Sequence, residues 1–255
     1  MSDNNKNTRI NRLKSALPDL TVGQLDWLEQ VVVQFGKPHT FERWDGSDLI
    51  TSTVLQDFGD ALRIHHCFSA EAFSKDKFEY ALERVAKLSG IKAELAPKGN
   101  PGHDITINGQ AISLKTEAAK VIKTDKIHIS KFMEMGKGDW SDKDDDLIGL
   151  RQRFFNHMQA YERIFILRRL LAKAGKWCYE LVEIPKALLL EAEHGRLDMR
   201  HGSTQMPKPG YCYVADEKGD DKFQLYFDGG TERKLQIKNL QKHLCTVHAT
   251  WHFEE

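Results

Sequence analysis

The sequence predicts a mixed α/β fold in a single domain, with a central β-sheet flanked by helices. Three observations predict it. Apolar residues recur at helical spacing early in the chain, over Thr21–Phe35 and Ala70–Leu88. From Asp104 onwards, short alternating runs bounded by turn residues dominate, which is the grammar of strands. The two kinds of segment never settle into a regular strand–helix–strand repeat, so an all-parallel sheet is not expected. The 255 residues suffice for one large domain, and the chain carries no internal repeat or low-complexity segment.

Composition narrows the function classes. Basic and acidic residues balance at 37 each. A net charge of zero gives no global attraction to nucleic acid, so any such binding has to come from local patches. Cys67, Cys178, Cys212 and Cys245 are scattered singly, without zinc-finger spacing, as expected for reduced thiols. No signal peptide or membrane-length apolar run is found, so a cytoplasmic protein without membrane contact is expected.

The elements follow in order. The polar start, MSDNNKN, reads as a frayed terminus within an extension of about residues 1–20. Thr21 and Gln24 make a capping box for a helix whose stripe is Leu25, Leu28, Val32 and Phe35. A second helix over Ala70–Leu88 turns Phe78, Leu82 and Val85 inwards and ends at Gly90. After a hairpin come a strand at Lys126–Ser130, a charged loop at 136–146 and a helix from Leu147 to about Ala160. Arg163–Leu170 and Trp177–Ile184 read as paired strands joined across Ala174-Gly175, and Pro185 starts a short helix through Ala192. The last third is β-rich: Tyr211–Ala215, Phe223–Phe227, Lys234–Ile237 and Cys245–Phe253.

The hairpin lies in PGHDITINGQAISLKTEAAK, residues 101–120. Asn108-Gly109 is a strong two-residue turn signal, because both positions want φ > 0. That turn pairs Ile107 with Gln110, Ile105 with Ile112 and Asp104 with Ser113, and directly opposed residues share a face. Ile105, Ile112 and Leu114 then point to a core. Asp104, Ser113, Lys115 and Glu117 line the other face. One more residue in the loop would put Asp104 opposite Leu114 and break the cluster. The face has two readings. It is an ordinary wet strand face, or it is a nuclease site. In the second, Asp104 ligates a hard divalent cation, Mg2+, and Lys115 orients water or stabilises developing charge.

Pro101, Asp104, Ser113 and Lys115 resemble the PD-(D/E)xK nuclease motif, with Ser in the middle acidic place. The longer phrases PGHDIT, SLKTEAAK, YERIF, LVEIPK, LLLEA, PKPGY, LYFDGG and ERKLQIK resemble, in this order, the SmaI-type family of type II restriction endonucleases. The likeness covers roughly residues 45–251. It implies a restriction-endonuclease-like fold over the whole chain and a double-strand break in DNA at a short GC-rich palindrome, CCCGGG. It also implies a Mg2+ cofactor and a protective methyltransferase acting on the same site. Asp104 is carried over as metal ligand and Lys115 as catalytic lysine.

Ser113 departs from the pattern, and a hydroxyl replaces a charged ligand poorly. Nucleases of this fold often carry a Glu on the helix before the motif, which points to Glu79 or Glu83. Glu79 lies at the edge of the apolar stripe and can lean inwards, whereas Glu83 pairs with Lys87 at i, i+4. Glu117 is the competitor.

Arg200, His201, Ser203, Thr204, Gln205 and Lys208 form a polar loop, a candidate DNA reader or a plain connection. Lys234 and Lys238 alternate on a strand and reach phosphate or face solvent. The His65-His66 pair has no metal-binding geometry. One catalytic centre per chain and a palindromic site imply a homodimer. Two other functions fit the same residues: a structure-specific repair or junction nuclease, and a sequence-specific DNA-binding protein that no longer cleaves.

Overall fold

The computed structural model describes residues 3–97, 99–100, 102–119, 122–136, 138, 140–170 and 175–255. Pro101 of the motif and Ala174 of the expected turn lie outside them. The chain opens with helices α1 (Asp3–Ala16) and α2 (Val22–Gly36), strand β1 (His39–Arg43), and helices α3 (Ser52–Phe68) and α4 (Lys75–Leu88). Then come β2 (Ala93–Leu95), β3 (Ile105–Ile107), β4 (Gln110–Glu117), β5 (Lys126–Glu134) and α5 (Asp146–Met158). The remainder is β6 (Arg163–Leu170), β7 (Lys176–Glu183), α6 (Lys186–Leu190), β8 (Arg196–Met199), β9 (Gly210–Ala215), β10 (Asp221–Asp228), β11 (Lys234–Gln241) and β12 (Thr246–Glu254).

Two sheets carry the fold. The larger runs β1-β12-β7-β6-β4-β3-β2 and is mixed, because β4 pairs with β6 in parallel while its other pairs are antiparallel. The smaller, β5-β11-β10-β9-β8, is antiparallel throughout. Alternate residues along each central strand enter different cores, as a period of two requires. Phe165 and Leu167 of β6 pack with α3 and α4, while Ile164 and Ile166 pack with α5 and the smaller sheet.

The hairpin has the expected register: Ile107 opposes Gln110 and Ile105 opposes Ile112. Asn108 and Gly109 take φ of 49° and 85°, the left-handed pair that a two-residue turn needs. Ile105, Ile112 and Leu114 are fully buried against α3 and α4. The opposite face differs from expectation, because it is not wet. Ser113 is 0 % exposed, Lys115 8 % and Glu117 7 %, since β5 and α5 lie over that side.

Several early elements also differ. Residues 3–16 are helical rather than frayed. Helix α2 has its capping box on Thr21, but its stripe faces outwards: Leu25, Leu28, Val32 and Phe35 are all exposed, and Gln34 is the buried residue. Gln34 donates to the Glu254 carbonyl and Arg63 donates to the Gln34 carbonyl, so the polar edge of α2 is what holds it to α3 and β12. The second helix begins at Lys75, capped by Ser74, rather than at Ala70. Helix α3 is absent from the expectations, although Val54, Phe58 and Leu62, four residues apart, carry its signal, and all three are buried. All four cysteines are free thiols. Among the described residues no helix is long and apolar enough to cross a membrane.

Candidate active site

The hairpin and the start of α4 meet at Asp104. Its backbone N–H donates to the Ile112 carbonyl, extending the ladder by one residue. One carboxylate oxygen, Oδ2, accepts from the Leu114 N–H at 2.6 Å and from the Ser113 hydroxyl at 3.2 Å. The other, Oδ1, accepts from Lys75 Nζ at 2.6 Å. Lys75 also reaches Glu79, one turn along α4, at 3.0 Å. Asp104 and Glu79 therefore converge on one cationic position. Ser113 serves this carboxylate by fixing its orientation, a job for which a hydroxyl donor is suited and a third carboxylate is not.

Lys115 stands next along β4, its Nζ 5.3 Å from the centre of the Phe132 ring. Burial lowers its pKa to about 8; Asp104 and Glu79 oppose the shift and Lys75 adds to it. Lys75 moves the other way. Burial works against its charge, but its hydrogen bonds and attraction to Asp104 and Glu79 outweigh that and raise its pKa.

Behind them, at the end of α5, lie His157 and Tyr161, their rings 5.5 Å apart. His157 Nε2 and the Tyr161 hydroxyl are buried without a hydrogen-bond partner. Burial, with Lys115 adding to it, lowers the His157 pKa to about 4, so the ring is neutral at ordinary pH. Tyr161 is raised by burial and by Asp104. The site therefore holds one pair of carboxylates, one well-charged lysine, and one lysine that titrates near physiological pH.

Two clefts open on this arrangement. One, of about 370 Å³, is lined by Lys75, Glu79, His103 and Asp104 among others. The other, of about 350 Å³, is lined by Lys75, Lys115, Thr116, Ser130 and Phe132 among others. Lys75 stands between them. It escaped the sequence reading, although its position four residues before Glu79 is an i, i+4 ion-pair signal. His157 and Tyr161 were also missed: Tyr161 lies beyond the end of α5, and a spacing of four residues says nothing about what they meet.

The other carboxylates are engaged elsewhere. Glu117 accepts from Arg168 at 2.5 Å and from the His128 N–H at 3.0 Å. Arg168 is fully buried and also pairs with Glu180. Burial raises the Glu117 pKa against the pull of Arg168. Glu83 pairs with Lys87 at 2.7 Å as expected, and also accepts from the Leu95 N–H at 3.3 Å, which ties α4 to β2.

The candidate DNA loop joins β8 to β9, and its Gln205 lines a cleft with Glu134 at the end of β5 and with Gly230. Arg200 lies over the Tyr211 ring at 5.2 Å, and His201 reaches Asp144 at 3.0 Å. Lys208 donates to the Ser203 carbonyl at 2.6 Å, and the Ser203 hydroxyl accepts from the Gln205 N–H. Thr204 is exposed. None of these residues lines the Lys115 cleft.

The profile of the SmaI family, described as type II site-specific deoxyribonuclease, matches residues 13–253. The chain belongs to that family. It is 46 % identical over 230 residues to the type II restriction enzyme SmaI of Serratia marcescens, a span covering 90 % of this chain and 89 % of that enzyme. No solved structure matches. As a family member the chain is a type II restriction endonuclease: it binds DNA and hydrolyses it at a specific site.

Proposed function

We propose that this enzyme makes double-strand breaks at the palindrome CCCGGG with Mg2+ as cofactor, through a centre of Asp104, Glu79, Ser113 and Lys115. The observation that carries the proposal is the convergence of Asp104 and Glu79 on the Lys75 ammonium, 2.6 and 3.0 Å away, beside a buried Lys115.

Two carboxylates around one positive charge fit a hard cation that prefers oxygen and keeps several waters. The ammonium of Lys75 stands in for that cation. Among the described residues no cluster of three or more acidic, His or Cys side chains could hold a metal, so two protein oxygens, with water and phosphate completing the shell, is the donor set this chain offers. Glu117, committed to Arg168, is the weaker candidate for a ligand. When bound, the ion supplies Lewis-acid polarisation of the phosphate and a more acidic water.

The protein's own groups do the rest. Leu114 N–H and Ser113 hold Asp104 Oδ2, and Oδ1, which accepts from Lys75, is the oxygen turned to the cation position. Lys115 is held by β4 in a dry environment. As an ammonium it stabilises charge developing on the phosphate. As an amine, accessible because its pKa is near 8, it accepts a proton from the attacking water. Neutral His157 adds no competing positive charge next to it.

The mixed sheet, with its hairpin at β3–β4 beside the parallel β6, supports a restriction-endonuclease-like core. One centre per chain against two strands supports a homodimer on DNA. A methyltransferase protecting the same sequence and a cytoplasmic location complete the proposal. Digestion of plasmid DNA with and without Mg2+ tests it. Discrete fragments ending within CCCGGG, formed only with the metal, are expected. Structure-dependent nicks would favour a repair nuclease, and retarded but intact DNA would mean binding without cleavage.

A further inference from the structure

The smaller sheet has one face in the core and one outside it. In one row across it, Ile237, Leu225 and Cys212 are fully buried. In the next row outwards, Gln236 of β11 opposes Tyr226 of β10, which opposes Tyr211 of β9, which opposes Asp198 of β8. These four are half-exposed. This face carries aromatics, amides and paired charges in register.

Its cations have the placement that a polyanion calls for. Lys238 Nζ lies 3.6 Å from the centre of the Tyr226 ring and 5.5 Å from that of Tyr211. Lys238 makes no ion pair among the described residues, and burial lowers its pKa although Asp228 opposes that. Arg196 and Arg200 lie over Tyr213 and Tyr211, and both also reach Asp198, at 3.8 and 3.5 Å. Interspersed with them is a preorganised acceptor. Asp228 receives the Gln236 amide at 3.0 Å, the Gly230 N–H at 3.0 Å and the Gln205 amide at 3.5 Å, and its carboxylate keeps a further lone pair free.

This face is continuous with the catalytic cleft. The Lys115 cleft is lined by Thr116 and Ser130. A neighbouring cleft of about 440 Å³ is lined by the same two residues and by His128 and Lys238. A path therefore runs from the catalytic lysine across the edge of β5 to Lys238 on the open face. Four strand spacings make the sheet roughly 19 Å wide, too wide to enter a major groove of about 12 Å. It would lie against the duplex, with the β10–β11 turn on its rim, where Asp228 stands, reaching the groove.

We infer that the open face of the five-stranded sheet receives the DNA duplex, with Lys238 on a phosphate and Asp228, braced by Gln236, on a base edge in the major groove. An aspartate suits the cytosine amino group, which a GC-rich site presents repeatedly. The choice of CCCGGG as probe rests on the sequence proposed above; the surface itself does not.

The test measures binding without cleavage, by fluorescence anisotropy in EDTA, with a CCCGGG duplex and a scrambled duplex of equal composition. Asp228→Asn is expected to weaken the CCCGGG complex about 10–100-fold and leave the scrambled one nearly unchanged. Lys238→Met is expected to weaken both and to lower the salt slope by about one. Lys176→Ala, on β7 of the other sheet, serves as control and should match the wild type. Amide hydrogen exchange on the wild-type protein needs no substitution: bound duplex should protect residues 210–238. Wild-type affinity and salt slope in both variants, or no protection of the sheet by either duplex, would overturn the inference. If the wild type failed to prefer CCCGGG while the sheet was still protected, the recognition sequence would be wrong and the surface right.

Discussion

Replacing Lys115 by methionine is expected to stabilise this protein and abolish its cleavage in one step. The buried lysine has its pKa lowered from 10.5 to about 8. At about 1.4 kcal/mol per pH unit, the folded state bears about 3 kcal/mol to keep this side chain charged. The sign follows from linkage. Below pH 8 both folded and unfolded chains carry the proton, so the whole penalty is present. Between pH 8 and 10.5 the unfolded chain binds the proton and the folded chain does not, so wild-type stability rises. Above 10.5 the penalty is gone. Methionine fills a similar volume without the charge, so in metal-free buffer at pH 7 the variant should gain about 3 kcal/mol, or roughly 6–12 °C in Tm. Urea unfolding of both proteins from pH 6 to 10.5 measures this, and the gap should close as the pH rises. A variant less stable than the wild type at pH 7, or a gap that does not depend on pH, would refute the account of Lys115 as a charge held against desolvation.

Four other expectations follow from the site. Asp104→Asn should abolish cleavage while leaving the fold and much of the DNA affinity intact; undiminished cutting would remove Asp104 from the catalytic centre. Glu79→Ala should raise the Mg2+ concentration for half-maximal cleavage more than Glu83→Ala does, and the reverse order would move the second ligand off α4's inner edge. Arg168→Met leaves Glu117 buried without its cation and Glu180 with Lys242 alone, at a cost of about 3–5 kcal/mol; urea unfolding should show the deficit shrinking as acid protonates the orphaned Glu117. Sedimentation of the enzyme on a short CCCGGG duplex should find two chains per duplex, and one chain with accumulating nicked plasmid would refute the dimer.

What the sequence by itself determined is local. Asn108-Gly109 needs only its own two φ angles to set a turn, and a two-residue turn sets the register. That register alone put Asp104 opposite Ser113 and beside Lys115. The capping boxes and strand alternations are likewise short-range, which is why the boundaries of α2, β6 and β7 come close to expectation. Family membership was legible for a different reason: many long phrases in one order cannot arise from secondary-structure preference.

What tertiary structure decided is everything that depends on which surfaces meet. An alternating strand shows that two faces differ, not which is dry. The polar face of β4 is buried because β5 and α5 cross it, and that burial is what shifts Lys115. A stripe on α2 announces a wish to be covered, yet Gln34 and Arg63 attach that helix by its polar edge and leave the stripe outside. Lys75 and Asp104 are 29 residues apart, and only the packing of α4 beside the hairpin brings the ammonium within 2.6 Å of the carboxylate. The edge of the apolar stripe favoured Glu79, with Glu117 as competitor. The Lys75 bridge to one and the Arg168 grip on the other distinguish them, because the field around a charge comes from its neighbours in space rather than along the chain.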